Sequence, residues 1–259
     1  MSKLNYYKSR LVKHLKALVW YLTMYYKFKQ ILKRHGIYKI KPIQFLKWHH
    51  GSHYFIGNTK KDNRIVFIKT GGNENLITRE IKVLKYIKEN RFDKSDWYIP
   101  NVVAFLDEGR FAFIATKYIT GETLTSVISH NRLTNQNRYE LVKQFNQICD
   151  FLYSHDLIHR DVRPDNILIH AEKESMKVTL IDFAYTVSNN KLEFSEIDLS
   201  DLKKQLYFLG AGLNPEPLIW DDAYSFYKIS EQLGVSIDND LNELMKTKIG
   251  RLVYRIDKN

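Results

Sequence analysis

Residues 157–170, LIHRDVRPDNILIH, set two aspartates, an asparagine and two arginines between apolar runs. Phe151-Leu152 precede the stretch and Ile167-Leu168-Ile169 close it. A loop between core elements holds that many polar groups only where they pair with one another or bind something. Asp161 and Asn166 stand five positions apart, and sixteen residues after Asn166 Asp182 follows Leu180-Ile181 in LIDFAYT. Two carboxylates and an amide on loops beside apolar strands form a hard-oxygen set, suited to Mg²⁺ carrying phosphates.

The elements that must position these groups read as periodicities. Residues 3–35 predict one helix, with Leu4, Tyr7, Leu11, Leu15, Leu18, Leu22 and Tyr25 recurring at three- and four-residue steps. Lys33, Arg34 and His35 fall in its last turn, and Gly36 supplies the stop. Short β-like runs follow at 43–48, 54–57 and 65–70, separated by His49-His50-Gly51-Ser52 and a polar turn over 58–63. NENLITREIKVLKYIKEN, residues 73–90, returns to helical spacing through Leu76, Ile81, Leu84 and Ile87. Two further strands are expected at 102–106 and 111–118, joined by Asp107-Glu108-Gly109. Past Thr120-Gly121 the chain reads as largely helical, at about 123–130, 135–154, 196–209, 220–233 and 240–254. A β-rich first half and a helical second half predict an α+β protein of two lobes joined near 117–122.

Set in these elements, the polar residues resemble those of the protein kinase-like superfamily. The HRDxxxxN catalytic loop appears as His159-Arg160-Asp161-Val162-Arg163-Pro164-Asp165-Asn166, and the magnesium motif as Asp182-Phe183-Ala184. RIVFIKT resembles the third strand and gives Lys69; LITREIKVL resembles the helix that follows it and gives Glu80. ATKYITGETL resembles the hinge, with Thr116 as gatekeeper and the backbone of Lys117 and Ile119 facing adenine. The resemblance runs over about residues 43–235 in order. It implies a two-lobed kinase-like fold: a basic amphipathic helix at 1–36, a β-rich N-lobe at 37–120 and a compact helical C-lobe at 121–259.

The same resemblance implies ATP and Mg²⁺, and transfer of the γ-phosphate to an alcohol. Lys69, fixed by Glu80, is then expected on the α- and β-phosphates, and Asn166 and Asp182 on the metal. Asp161 orients the acceptor hydroxyl and takes its proton, while Arg163 reaches the γ-phosphate as a bidentate donor. In the nucleotide loop WHHGSHYFIG, Gly51 sits at the tip; Ser52 is either a phosphate ligand or an ordinary turn serine. The pattern departs from the family in three places. One glycine stands in that loop instead of three, Ala184 replaces the usual glycine, and no APE motif occurs in the 77 residues after Asp182. A peptide platform and a long activation segment are therefore not expected. The chain looks more like the small bacterial kinases of envelope glycans, such as the lipopolysaccharide-core heptose and Kdo kinases. Their acceptor is a sugar hydroxyl on an acidic glycan or glycolipid. A serine/threonine protein kinase and a pseudokinase-type binding module stay open as alternatives.

The net charge of +11 is concentrated at one end. Residues 1–61 hold fourteen Lys/Arg and no Asp or Glu, while the remainder carries a net of −3. A localised field of that kind points to an anionic partner near the N-terminus. Helix 3–35 either packs its stripe on the following domain or lies on an anionic membrane surface, with Trp20, Tyr21, Tyr25, Tyr26 and Phe28 at headgroup level and its lysines on anionic lipid. Nucleic acid is not expected, because the aromatics there follow a helical stripe and form no exposed platform. Ala17–Tyr26, the longest uncharged apolar-rich run, has ten residues where about twenty span a bilayer, and no small-residue cleavage site follows it. The single cysteine, Cys149, lies in an apolar-periodic stretch and reads as a buried thiol. The expected location is cytoplasmic, peripheral at the inner face of the cytoplasmic membrane.

Overall fold

The first helix, α1 (Lys3–Arg34), carries apolar side chains on two sides, burying one and leaving the other in solvent. It opens a computed structural model that describes residues 3–45, 48, 51–71, 74–90, 98–107, 109–172, 175–189, 206–210, 212–234 and 239–256. Ala17, Phe28 and Leu32 are buried against a sheet, with Trp20, Tyr21 and Tyr25 partly buried beside them. The expected stripe through Leu11, Leu15, Leu18 and Leu22 is instead exposed, by 61, 52, 41 and 71 %. At 100° per residue the two faces point in different directions, so the helix cannot bury both on one sheet. The aromatic face is the one buried because its rings find partners: Trp20 stacks on His53 at 4.1 Å and Tyr25 on Phe55 at 5.6 Å. The side chains of Leu4 and Tyr7 lie outside the described residues.

The sheet is antiparallel, with β1 (Ile37–Ile43), β2 (Ser52–Thr59), β3 (Ile65–Gly71), β4 (Val102–Leu106) and β5 (Phe113–Lys117) in the order β1-β2-β3-β5-β4. Helix α2 (Glu74–Glu89) follows β3. The first strand runs over 37–43 and not the expected 43–48. Its period of two is broken by a register shift between Tyr38 and Lys41, with Lys39 at φ +52°, which hid it from pattern reading. Trp48 is a buried plug whose Nε1–H donates to the Ile43 carbonyl at 2.9 Å. Alternation sends His53, Phe55, Val66, Ile68, Phe113 and Ala115 to one side of the sheet, where the last five join the core under α1. Ser52, Tyr54, Lys69 and Thr116 therefore face the other way.

The chain divides into two compact units, one of Met1–Lys88 with Asn101–Ile119 and one of Glu89–Pro100 with Thr120–Asn259. The N-terminal helix belongs to the first of these units, and Glu89, Asn90 and residues 98–100 belong to the second.

In the second unit β6 (Glu122–Thr123), β7 (Ile167–Glu172) and β8 (Ser175–Leu180) form a small antiparallel sheet. Around it stand α3 (Leu124–Ser129), α4 (Asn135–Ser154), α5 (Asp222–Gln232) and α6 (Asn239–Lys246). Helix α4 starts at a capping box between Thr134 and Asn137 and buries Leu141, Phe145, Ile148, Cys149 and Leu152. Phe145 stacks on Phe226 of α5 at 5.0 Å, and the Cys149 Sγ lies 3.8 Å from the Met245 Sδ. Burial pushes the Cys149 thiol well up, which keeps it an inert packing group. The helix expected at 240–254 ends at Lys246. Gly250 turns the chain at φ +82° and donates its N–H to Asp221 Oδ2 at 2.7 Å. Tyr254–Arg255 (β10) then pairs with Ile219–Trp220 (β9). Most of the helix expected at 196–209 lies outside the described residues.

Candidate active site

Because β3 alternates, Lys69 leaves the sheet on the face opposite α1, in register with Tyr54 and Ile114. Its Nζ donates to Glu80 Oε2 of α2 at 2.9 Å, with the two side chains only 12 and 7 % exposed. Thr116, buried, shares that face with Lys69. Lys117 is exposed and donates its N–H to the Asn101 carbonyl at 2.8 Å. Ile119 is partly buried at the end of the first unit. Gly51 occupies the left-handed region at φ +101°, with its N–H on the Trp48 carbonyl at 2.9 Å, a conformation that favours glycine. Ser52 opens β2 in register with Gly71, on the same sheet face as Lys69.

In the second unit the polar stretch is pinned from below. Asp221 caps α5 by accepting the Tyr224 N–H at 3.1 Å. The next residue, Asp222, accepts the backbone N–H groups of His159 at 2.6 Å and Arg160 at 3.1 Å. Burial pushes Asp222 up to about 7, against the pull of those two N–H groups. His159 accepts the Asp161 N–H at Nδ1, 3.3 Å away. Its Nε2–H donates to the Ile181 carbonyl at 3.0 Å. The neutral imidazole thus ties the Asp161 loop to the residue before Asp182, and its ring meets Phe183 edge-on at 4.8 Å. Arg160, in the left-handed region at φ +69°, donates Nε–H to the Tyr185 carbonyl at 2.6 Å. Its guanidinium lies 5.1 Å from the Trp220 ring and 5.3 Å from that of Tyr254.

These anchors fix Asp161. Its Oδ1 accepts the Gly210 N–H at 3.0 Å and its Oδ2 accepts Asn166 Nδ2 at 2.7 Å, while the Arg163 Nε lies 3.5 Å from Oδ2. Burial raises the Asp161 pKa, with a smaller push from the Asp182 charge; Arg163, Gly210 and Asn166 pull it down. Asn166 Nδ2 also donates to the Asp161 carbonyl at 2.9 Å, so its Oδ1 is left as the acceptor. Asp182 stands at φ +67°, ψ +65°, a conformation that costs a non-glycine residue about 1–3 kcal/mol unless its surroundings enforce it. The buried turn Phe183–Tyr185 does so, and Ala184 within it is not among the positive-φ residues, so Asp182 and not the motif's third position takes the left-handed turn. The Asn166 Oδ1 and the Asp182 carboxylate are hard oxygen donors that suit Mg²⁺. Among the described residues no group of three or more His, Cys, Asp or Glu could hold a metal alone.

The structure therefore brings Lys69 and Glu80 together within the first unit, and Asp161, Asn166 and Arg163 within the second. Two polar groups of the opening stretch are engaged by other parts of the chain, Arg160 in the interior and Asp165 at the surface. Arg160 is stacked and buried, and Asp165 accepts the Thr125 hydroxyl at 2.8 Å. Sequence reading missed Asp222, Gly210 and the bridging role of His159. Asp221-Asp222 before the helical YSFYKISEQ is a helix-start signal, but nothing in it tells that the second aspartate reaches back to residue 159.

Residues 53–199 match the family model of the protein kinase domain. The chain is 26 % identical over 113 residues to calcium/calmodulin-dependent protein kinase type 1 of Caenorhabditis briggsae, covering 43 % of this chain and 30 % of that protein. It is 29 % identical over 146 residues to the probable serine/threonine-protein kinase PknB of Lactococcus lactis, covering 55 and 22 % respectively. It is 29 % identical over 137 residues to the serine/threonine-protein kinase PKH2 of Saccharomyces cerevisiae, covering 50 and 12 %. The chain thus spans less than a third of the length of each of these relatives. The family match takes in more than half of the chain and every residue from Lys69 to Asp182, and so the chain belongs to the protein kinase domain family, which implies ATP as substrate and Mg²⁺ as cofactor.

Proposed function

We propose that the protein is an ATP-dependent phosphotransferase whose acceptor is a sugar hydroxyl on an acidic cell-envelope glycan or glycolipid, such as a lipopolysaccharide core. The observation that carries phosphotransfer is the setting of Asp161, whose two oxygens are oriented by the Gly210 N–H and the Asn166 amide. Phosphoryl transfer needs positioning and charge neutralisation more than covalent work by the protein. Lys69, steadied by Glu80, neutralises the α- and β-phosphates. Asn166 and Asp182 hold Mg²⁺, which when bound offsets charge on the phosphate oxygens. Asp161 orients the acceptor hydroxyl and takes its proton; its raised pKa makes it a better base than an exposed aspartate. Arg163, 38 % exposed beside Asp161, presents its guanidinium to the transferred phosphate. On the nucleotide, Thr116 lines the base site, Lys117 and Ile119 offer backbone to adenine, and Gly51 and Ser52 approach the phosphates.

The glycan acceptor rests on two features. Residues 1–61 carry fourteen basic side chains and no acid, which suits an anionic acceptor. Tyr207 and Phe208, 50 and 74 % exposed with ring centroids 5.3 Å apart, precede the Gly210 that touches Asp161. Exposed rings three and two residues before that contact offer stacking to the apolar face of a sugar. A second reading, a serine or threonine side chain as acceptor, is favoured by the names of the relatives.

Transfer of labelled γ-phosphate from ATP into a total envelope-glycan extract, compared with a protein extract, separates the two readings. Label in glycan alone supports the first and label in protein alone the second. ATP binding without transfer to either means a binding module.

A further inference from the structure

We infer that the exposed aliphatic face of α1 docks on an anionic lipid bilayer, the helix lying along the surface while its aromatic face stays on the sheet. This inference stands apart from the phosphotransfer reading. Leu11, Leu15, Leu18 and Leu22 follow steps of four, three and four, which places them on one line of the helix. Val12, Val19 and Tyr26 widen the line, at 50, 57 and 71 % exposure. Of the fifteen large apolar side chains exposed among the described residues, these make seven, so the patch is contiguous and not scatter. At 1.5 Å per residue it is about 22 Å long.

The occupant follows from charge. Lys13, Lys16 and Lys27 are exposed along the edge of the patch, between it and the buried face. That is where long cationic stems reach headgroups while leucines enter the acyl boundary. A second copy of the chain on the same face would bring together two segments of fourteen positive charges each, with no acid in either to pair them. An anionic leaflet supplies the missing counter-charge. No described helix is long and apolar enough to cross a membrane, so the fitting geometry is parallel to the surface.

Flotation of the full chain with vesicles tests this, using phosphatidylcholine alone or mixed with phosphatidylglycerol. Wild type is expected to float with the mixed vesicles only, and to be released by about 0.5 M salt, where the Debye length falls to a few ångström. Leu15→Gln/Leu18→Gln/Leu22→Gln should bind at least about tenfold less while melting at the wild-type temperature, since these side chains touch solvent. Lys13→Glu/Lys16→Glu/Lys27→Glu should lose the same binding with the leucines in place. Absence of wild-type binding, equal binding to both vesicle types, or leucine and lysine variants that bind like wild type overturn the proposal. So does a solution dimer that the leucine variant converts to monomer, which assigns the face to a second copy.

Discussion

Asp222 accepts the backbone N–H of His159 at 2.6 Å, so the start of α5 sets the path of the loop that carries Asp161. The contact is buried, with Asp222 at 2 % exposure, and a second N–H, from Arg160, fills the other oxygen. A carboxylate so placed acts through the loop as a positioning residue, holding the two residues that immediately precede the proposed base.

Asp222→Asn should therefore lower turnover and change the pH dependence of stability together. An asparagine offers one acceptor oxygen where two N–H groups need partners, which costs about 1–3 kcal/mol. Burial holds the wild-type carboxyl at about 7, with Asp221 adding to the upward push and Arg160 opposing it. In the unfolded chain the same group titrates near about 3.9. Between these values the folded state binds more protons than the unfolded one, so stability falls as pH rises. The contribution is fully present below about pH 4 and is lost as pH passes through about 7. Urea unfolding from pH 5 to pH 8 should show wild type losing roughly 1–4 kcal/mol more than the variant, which narrows the gap between them. A gap that is constant with pH would show that Asp222 is ionised throughout.

Asp161→Asn should reduce turnover by roughly 10²-fold or more, with ATP affinity within a few-fold of wild type. The variant keeps the shape but not the basicity. Its single acceptor oxygen also leaves either the Gly210 N–H or the Asn166 amide short of a partner, so a loss of about 1–3 kcal/mol in stability is expected as well. Turnover near wild type on the labelled acceptor would remove Asp161 from the role of base.

Asp182→Asn should abolish the Mg²⁺ dependence of ATP binding. The asparagine can occupy the left-handed backbone well, which keeps the turn at Phe183–Tyr185 intact, but it withdraws the one charged oxygen donor of the pair with Asn166. Calorimetric titration of ATP with and without Mg²⁺ should show enhancement by the metal in wild type and none in the variant.

What could be read from the chain beforehand depended on how local its signal was. Helix α4 matches the expected 135–154 because its periodicity is regular and Thr134 caps it; strand β4 matches 102–106 because it is a short apolar run between Asn101 and Asp107, despite a register shift between Val102 and Ala104. Strand β1 does not show in the pattern because a register shift breaks its alternation, and the C-terminal helix ends before its periodicity does because Gly250 turns toward Asp221, 29 positions away. The α1 stripe is legible, but its spacing leaves open whether it packs on the domain or faces outward, and the leucines prove exposed while the aromatic line is buried. Two apolar lines run along that helix, and only the sheet decides which of them is buried. In the site the motif residues were legible as types at fixed spacing. Their supports were not: Asp222 and Gly210 touch the loop from 62 and 49 positions away, and long-range hydrogen bonds leave no local pattern. Arg160 shows the converse, a charge in the motif that serves packing between Trp220 and Tyr254.

The Lys69–Glu80 pair allows stability and catalysis to be separated. Both side chains are largely shielded, at 12 and 7 % exposure, so screening weakens the pair less than it would at the surface. Lys69→Met strands a carboxylate in that setting and should cost roughly 1–3 kcal/mol at neutral pH. Replacing both partners removes the stranded charge as well. Lys69→Met/Glu80→Met should then regain most of the lost stability, because an apolar pair of similar volume is often as stable as a buried ion pair. Turnover should not return: the phosphates lose their cation in either variant, and removal of one preorganised electrostatic contact costs roughly 10²–10³-fold. Urea unfolding of wild type, both single variants and the double variant gives the coupling energy, and turnover at saturating ATP gives the catalytic loss. A double variant as unstable as Lys69→Met alone would mean that the pair is not the unit of stability. A double variant with restored turnover would mean that Lys69 holds α2 in place and does not touch the nucleotide.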